Sequence, residues 1–285
     1  MELLQLTYFC SAAEKENFSK TAKEYNVPAS NISQSIHRLE KEIGTKLFDR
    51  TANRIRLNEK GKMFYKDVKN ALMSIDNATK KIYEQEEISG EIRILANTNR
   101  RIVTAAMEAF EAQYDGVSFF INHSLDEDID KYDLIITDRI IDRNDFSKQL
   151  LMVDEILLAM SVSNPFANKE IFLSDLESER FITMNDKSGL YRLTNEICNS
   201  AGFAPHIAIQ SDDPYYIRKY IEMGQGVSFI PSISWKGLFS KNVVCKKITD
   251  TKRFTYVYNN NRRYMSRATS IFLQVLNETA QKHLE

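Results

Sequence analysis

Two short helical patterns meeting at a tight turn around Asn26 and Val27 constrain this chain more than any other feature. A bend that abrupt makes two helices share one small core at a steep angle. The first helix is expected to start at Ser19, a good N-cap, with Ala22 and Tyr25 on an apolar side and Lys20, Lys23 and Glu24 facing water. The second is expected to begin within Pro28 to Ser30. Its Ile32, Ile36, Leu39 and Ile43 recur at spacings of four, three and four, which makes a single buried stripe. Gly44 stands where a helix C-terminus favours glycine.

Burying that stripe leaves Ser30, Asn31, Ser33, Gln34, His37 and Arg38 on the remaining faces. Asn and Gln can bridge the N6 and N7 edge of adenine, and Ser or Arg can hold phosphate, so the face suits the major groove of duplex DNA. Asn31 and Gln34 are the base-reading candidates on this chemistry. A polar helix face standing alone would be an ordinary solvated surface; its neighbours decide in favour of a reader. Upstream, Leu3, Leu6, Phe9, Ala13 and Phe18 supply a further helix and a core. Downstream, Leu47 to Thr51 lead to a turn at Asn53, Ile55 to Leu57 alternate as a strand, and Asn58 is placed to cap the next helix.

With these residues in place the chain resembles the LysR-type transcriptional regulators. Their winged helix-turn-helix runs through a Phe-Ser entry, a helix ending in Arg-Leu-Glu, then Gly, Leu-Phe and Arg, and a wing closed by an Arg-x-x-Leu-x-x-x-Gly-like run. Here these are Phe18 and Ser19, Arg38 to Glu40, Gly44, Leu47 with Phe48, Arg50, and Arg54, Leu57 and Gly61. The resemblance implies Ser33 and Arg50 on phosphate, and Arg54 in the wing at the minor groove or its flanking backbone. Relatives often open the recognition helix with Gln-Pro. This chain has Ala29 and Ser30, so its operator sequence is not to be borrowed from a relative.

Whole-chain charge is nearly balanced, with 38 Lys and Arg against 39 Asp and Glu, and does not point to nucleic acid. The local balance does: Lys46 to Lys69 holds eight basic and three acidic residues, a footprint for phosphate. A helix without proline is expected from Lys60 to Glu87, about 40 Å long at ~1.5 Å per residue. Phe64, Val68, Ala71, Ile75, Ala78 and Ile82 alternate steps of four and three along it, the seam of a short coiled coil. So narrow a helix asks for a partner, and the resemblance implies a linker helix pairing two DNA-binding domains. Ser89 and Gly90 mark a hinge.

From Glu91 onward strand and helix patterns alternate, which implies an α/β domain with a mainly parallel sheet. Strands are expected at Ile92 to Ala96, Val117 to Asn122, Leu134 to Thr137, Glu155 to Val162, Phe181 to Met184, Ile207 to Gln210, Val227 to Ile230 and Phe254 to Tyr258. Helices are expected at Arg100 to Tyr114, Tyr191 to Ala201, Tyr215 to Met223 and Ser266 to His283. The pattern resembles the two-lobed, periplasmic-binding-protein-like effector domain of the family. Small ligands of such folds sit between lobes, beyond the carboxyl ends of strands. That nominates Asn97, Thr98, Asn99, Thr137, Asn185, Ser211, Ser228 and Phe229, with Arg100 and Arg101 pointing to an anionic effector. Between Asn122 and Asp133, where relatives usually have a full helix, the chain is short and acidic, with Asp126, Glu127, Asp128 and Asp130.

An enzyme finds little support. Cys10, Cys198 and Cys245 lack CxxC spacing, and His37, His123, His206 and His283 form no close ligand pair, so no metal and no cofactor is expected. Gly224, Gln225 and Gly226 precede a strand, unlike a dinucleotide fingerprint, and no GxSxG elbow occurs. A catalytic or ligand-binding α/β protein with a fused DNA reader, and a purely architectural DNA-binding dimer, are the alternatives. No apolar run has transmembrane length and no signal peptide opens the chain, so a cytoplasmic location is expected.

The expected fold is thus α/β in three parts. A winged helix-turn-helix occupies 1–58, a linker helix 59–88 and an effector domain 89–285, with lobe I near 91–160 and 256–285 and lobe II near 161–255. The expected partners are double-stranded DNA, a small-molecule effector and further copies of the chain as a homodimer or homotetramer. RNA polymerase is a candidate contact, and no membrane is expected.

Overall fold

The computed structural model describes residues 1–51, 54–83, 88–124 and 128–283. The chain divides into two units, Met1–Glu86 with Asn261–Ser266, and Glu87–Asn260 with Arg267–Glu285. Among the described residues no helix is long and apolar enough to cross a membrane.

In the first unit, helices α1 (Leu3–Lys15), α2 (Phe18–Glu24) and α3 (Ala29–Ile43) precede an antiparallel hairpin of β1 (Phe48–Thr51) and β2 (Arg54–Leu57), and α4 (Glu59–Tyr83) follows. Asn17 rather than Ser19 caps α2. Its backbone is extended and its side chain accepts the Lys20 amide at 2.9 Å, whereas Ser19 already lies in the first turn. The turn into α3 closes through the Val27 amide on the Ala22 carbonyl at 3.0 Å, with Asn26 left-handed at φ 53°.

Ile32, Ile36 and Leu39 are fully buried against Phe9, Ala12, Leu47 and Phe48. Each contributes roughly 1.5–3 kcal/mol, which fixes the rotation of α3 about its axis and so decides which face remains outside. Gly44 ends the helix at φ 77°.

Asn58 accepts the Gly61 amide at 2.8 Å and so starts α4. Gly61 is required there because a Cβ would stand 2.2 Å from the Leu47 carbonyl oxygen. The expected seam along α4 needs correction at its start. Phe64 and Val68 pack into the core of this unit, Phe64 against the Phe9 ring at 5.3 Å between centroids, because the first turns of α4 lie on α1. Ala71, Ile75, Ala78 and Ile82 remain exposed, Ile82 at 80%. The turn expected at Asn53, the helix end at Glu87 and the acidic pair Asp126 and Glu127 lie outside the described residues.

The second unit runs β3 (Gly90–Ala96), α5 (Arg100–Glu111), β4 (Val117–Asn122), β5 (Leu134–Thr137), β6 (Phe146–Ser161), β7 (Arg180–Met184), α6 (Gly189–Ser200), β8 (His206–Ser211), α7 (Pro214–Glu222), β9 (Ser228–Pro231), β10 (Val243–Lys246), β11 (Lys252–Asn260) and α8 (Arg267–Lys282). The sheet is mixed rather than mainly parallel. β4, β3 and β5 run parallel, as do β7 and β8, but β11 is antiparallel to β5, and β6 is antiparallel to β9, β10 and β11.

The reason is β6, which is much longer than the Glu155 to Val162 segment expected. Its first half, in which Phe146 is followed by polar Ser147, Lys148 and Gln149, pairs with β11 in lobe I, and its second half pairs with β9 and β10 in lobe II. That polar stretch gave no strand signal, and β10 was not expected either. Lobe I packs α5 and α8 on the sheet around Phe110, Phe272 and Leu276, and lobe II has its own core around Phe181, Ile197 and Phe229.

Candidate nucleic-acid interface and effector cleft

On α3, Ser30, Asn31, Gln34, His37 and Arg38 are exposed and Ser33 is half-buried, all on faces away from the Ile32–Leu39 stripe. This is the surface that the spacing predicted. Arg50 on β1 and Arg54 on β2 are exposed on the hairpin that follows.

What orders the junction between α3 and the hairpin is Glu40, which in the sequence stands only as the end of the Arg-Leu-Glu run. Its side chain is 1% exposed. Oε1 accepts the amides of Leu47 at 2.9 Å and Phe48 at 3.3 Å, while Oε2 accepts Lys46 Nζ and Arg50 Nη2, each at 3.2 Å. Burial alone would raise the Glu40 pKa. The hydrogen bonds from Leu47, Lys46 and Phe48, with the charge of Arg50, outweigh it and hold the carboxyl below its ordinary value. Arg50 also lies over the Phe18 ring at 5.4 Å, so the residue expected on phosphate is first a strut of the domain.

In the second unit, a cavity of about 270 Å³ lies at the carboxyl ends of β3 and β5 and at the N-terminal ends of α6 and α7. A larger hollow of about 650 Å³ shares Asn97, Arg100, Met184, Ser188 and Asp213 with it. Of the nominated residues, Asn97, Thr98 and Asn99 line the cavity and Asn185 lines the hollow.

The other four are placed elsewhere. Thr137 is fully buried, its hydroxyl accepting the Arg139 amide at 3.1 Å. Ser211 accepts the Asp213 amide at 3.1 Å, a turn into α7. Ser228 and Phe229 are buried in β9, which pairs with β6 inside lobe II.

Asn99 has a structural task beside its place on the cavity. Left-handed at φ 52°, it accepts Arg253 Nη2 at 2.9 Å and the Ser234 hydroxyl. Arg253 Nη2 also donates to Asp154 at 2.8 Å, and Asp154 accepts the amides of Ile233 and Ser234, both at 2.9 Å. This network is almost wholly buried and sits where β6 passes from one lobe to the other.

Sequence reasoning missed Asp138, Asp213, Arg218, Trp235 and Arg253 on the cavity wall. The Asp213-Pro214 start of α7 carried a usable signal, an Asx cap followed by proline. The others gave none, because burial of a strand arginine depends on pairing far along the chain. Burial, above all, lowers the Arg100 and Arg218 pKa, while Asp213 acts in the opposite sense on both.

Residues 3–62 match the family model described as the bacterial regulatory helix-turn-helix protein, lysR family, and residues 85–281 match the LysR substrate binding domain. The chain belongs to the LysR family. Among LysR relatives, the transcriptional dual regulator GltC of Bacillus subtilis is 29% identical over 242 residues, covering 81% of each chain. The regulator AlsR of the same organism is 26% identical over 262 residues, 87% of this chain and 86% of that one. A full-length OxyR variant from Pseudomonas aeruginosa has the same fold, with TM-score 0.72 at 15% identity over 99% of this chain and 95% of that one. Full-length CbnR, solved in complex with its target DNA, gives TM-score 0.61 at 18% identity over 99% of this chain and all 100% of that one. As a LysR regulator the chain is a sequence-specific DNA-binding protein of transcription with an effector-binding domain.

Proposed function

We propose that this LysR regulator binds an interrupted palindromic promoter site as a dimer or tetramer and acts in the cytoplasm as a regulator rather than a catalyst. α3 enters the major groove, with Asn31 and Gln34 on base edges and Ser30, Ser33, His37 and Arg38 around them. Arg50 lies on phosphate and Arg54 on the neighbouring backbone. Ala71, Ile75, Ala78 and Ile82 of α4 pair two readers, so the half-sites are related by two-fold symmetry. An effector held between the lobes biases the arrangement of subunits and through it the contacts with promoter DNA, and with RNA polymerase where it is engaged. The observation that carries this reading is the polar, outward face of α3, held by a fully buried stripe beside a basic hairpin.

The test is selection of genomic fragments by the purified protein at two salt concentrations. An enriched palindrome whose binding weakens with salt is expected, and salt-sensitive binding without any motif would instead favour an architectural protein. Gln34→Ala should relax preference at one base pair at a cost of about 1–3 kcal/mol on the preferred sequence, while Arg50→Ala weakens every sequence alike. Identical selectivity profiles for the two variants would defeat that division of roles. For the effector, the selected promoter is fused to a reporter in cells grown on different carbon and nitrogen sources. Output that never varies would count against an effector.

A further inference from the structure

The chemistry of the effector can be taken further, resting on the reading that the interlobe cavity is where it binds. Two buried polar atoms of opposite kind belong to side chains on the wall of that cavity. Asp138, just beyond β5 in lobe I, is 8% exposed, and its Oδ1 accepts no hydrogen bond among the described residues. Arg253, 4% exposed, commits Nη2 to Asp154, Ser234 and Asn99, yet its Nε donates to no partner among the described residues.

Buried polar groups are satisfied in the great majority of cases, so two side chains that line one small cavity, one with an unpaired acceptor atom and one with an unpaired donor atom, leave complementary hydrogen-bonding capacity at that wall. Asp138 depends on a glycine for its place. Its carboxylate lies against Gly189, the first residue of α6, so closely that a Cβ there would stand 2.1 Å from Oδ2. The carboxyl thus sits at the α6 end of the cavity. Arg100, Arg101 and Arg218 add positive charge to the wall, opposed there by Asp213.

We propose that the effector is a zwitterion of the amino-acid class, its ammonium donating to Asp138 and its carboxylate accepting from Arg253 and the arginines beside it. A ligand with anionic groups alone would leave Asp138 unpaired and repelled, and a simple amine would leave the arginine side unmet. Size agrees with a small ligand, since about 270 Å³ lies just below the range of drug-sized sites, ~300–1,000 Å³.

The experiment is calorimetric titration of the full-length protein with the common L-amino acids, each beside its 2-oxo acid, its 2-hydroxy acid and the primary amine left by removing its carboxyl group. At least one amino acid is expected to bind at least tenfold more tightly than all three of its analogues, and Asp138→Asn should weaken that amino acid at least tenfold. The analogue comparison uses the unaltered chain and so does not depend on folding of the variant. A 2-oxo acid binding as tightly as its amino acid overturns the zwitterion and leaves an anionic effector standing. Equal binding of the 2-hydroxy acid overturns it in favour of a neutral donor. Binding in none of the four series also overturns it, and the effector reading itself is then decided by the promoter-reporter response.

Discussion

Glu40→Ala is expected to cost the N-terminal unit about 2–5 kcal/mol, chiefly from two buried amides left unpaired, and to abolish measurable operator binding at concentrations where the unaltered chain saturates. The size follows from what the carboxylate holds. Removing it strands the Leu47 and Phe48 amides in a core that is otherwise apolar, and it leaves Arg50 and Lys46 without their anion. The hairpin would then lose its register on α3, and Arg50 and Arg54 would no longer be presented together. Hydrogen exchange separates this from a simple loss of DNA contact. The Leu47 and Phe48 amides should exchange far faster in the variant without any DNA present, whereas Gln34→Ala should leave them protected. Unchanged protection in the alanine variant would show that Glu40 is not the anchor.

The same group sets the acid limit of the domain. Its folded pKa lies below the ordinary carboxylate value, so the unfolded chain binds the proton more readily. The stability it contributes is therefore complete above the ordinary value and is lost as pH falls through the lowered one. Protection of the Leu47 and Phe48 amides should be flat through neutral pH and decline only in acid below the ordinary carboxylate range. A decline beginning near neutrality would point to another group.

These two amides also show where sequence reading reached its limit. Local signals were legible because they obey periodicities of a few residues. The stripe of α3, the cap at Asn58 and the glycine at Gly44 follow from spacing and residue type alone. Asn17 and Ser19 are both good caps, and only the extended backbone of residue 17 decides between them. The α4 seam was read as uniform, although its first turns belong to a core whose other half comes from α1, far back in the chain. In the effector domain the strands of the parallel core carry continuous apolar runs, while the polar Ser147 to Gln149 stretch near the start of β6 gives no strand periodicity. The cavity wall followed the same rule. Asn97, Thr98 and Asn99 were legible as a strand-to-helix junction, but Asp138 and Arg253 matter through pairings that no local pattern encodes.

Asp154→Ala should be the most damaging single change in the effector-binding unit, at about 3–5 kcal/mol, because it leaves a buried guanidinium without its counter-charge. Asp154 is fully buried and its carboxylate receives the Ile233 and Ser234 amides, the Ser234 hydroxyl at 2.6 Å and Arg253 at 2.8 Å. It thereby joins β6, β11 and the segment after β9 at the point where the chain passes between lobes. The chain has a single tryptophan, Trp235, which neighbours Ser234 and lines the cavity, so its fluorescence reports unfolding here. The midpoint in urea should fall steeply for Asp154→Ala. Pairing Asp154→Leu with Arg253→Met should recover much of the loss, since removing both charges leaves none stranded, though the Ile233 and Ser234 amides remain to be satisfied. That double variant would still lack the donor in the cavity wall, so it should fold yet respond to no amino acid. A double variant as unstable as Asp154→Ala would mean that Asp154 acts chiefly through those two amides and that its ion pair with Arg253 is secondary.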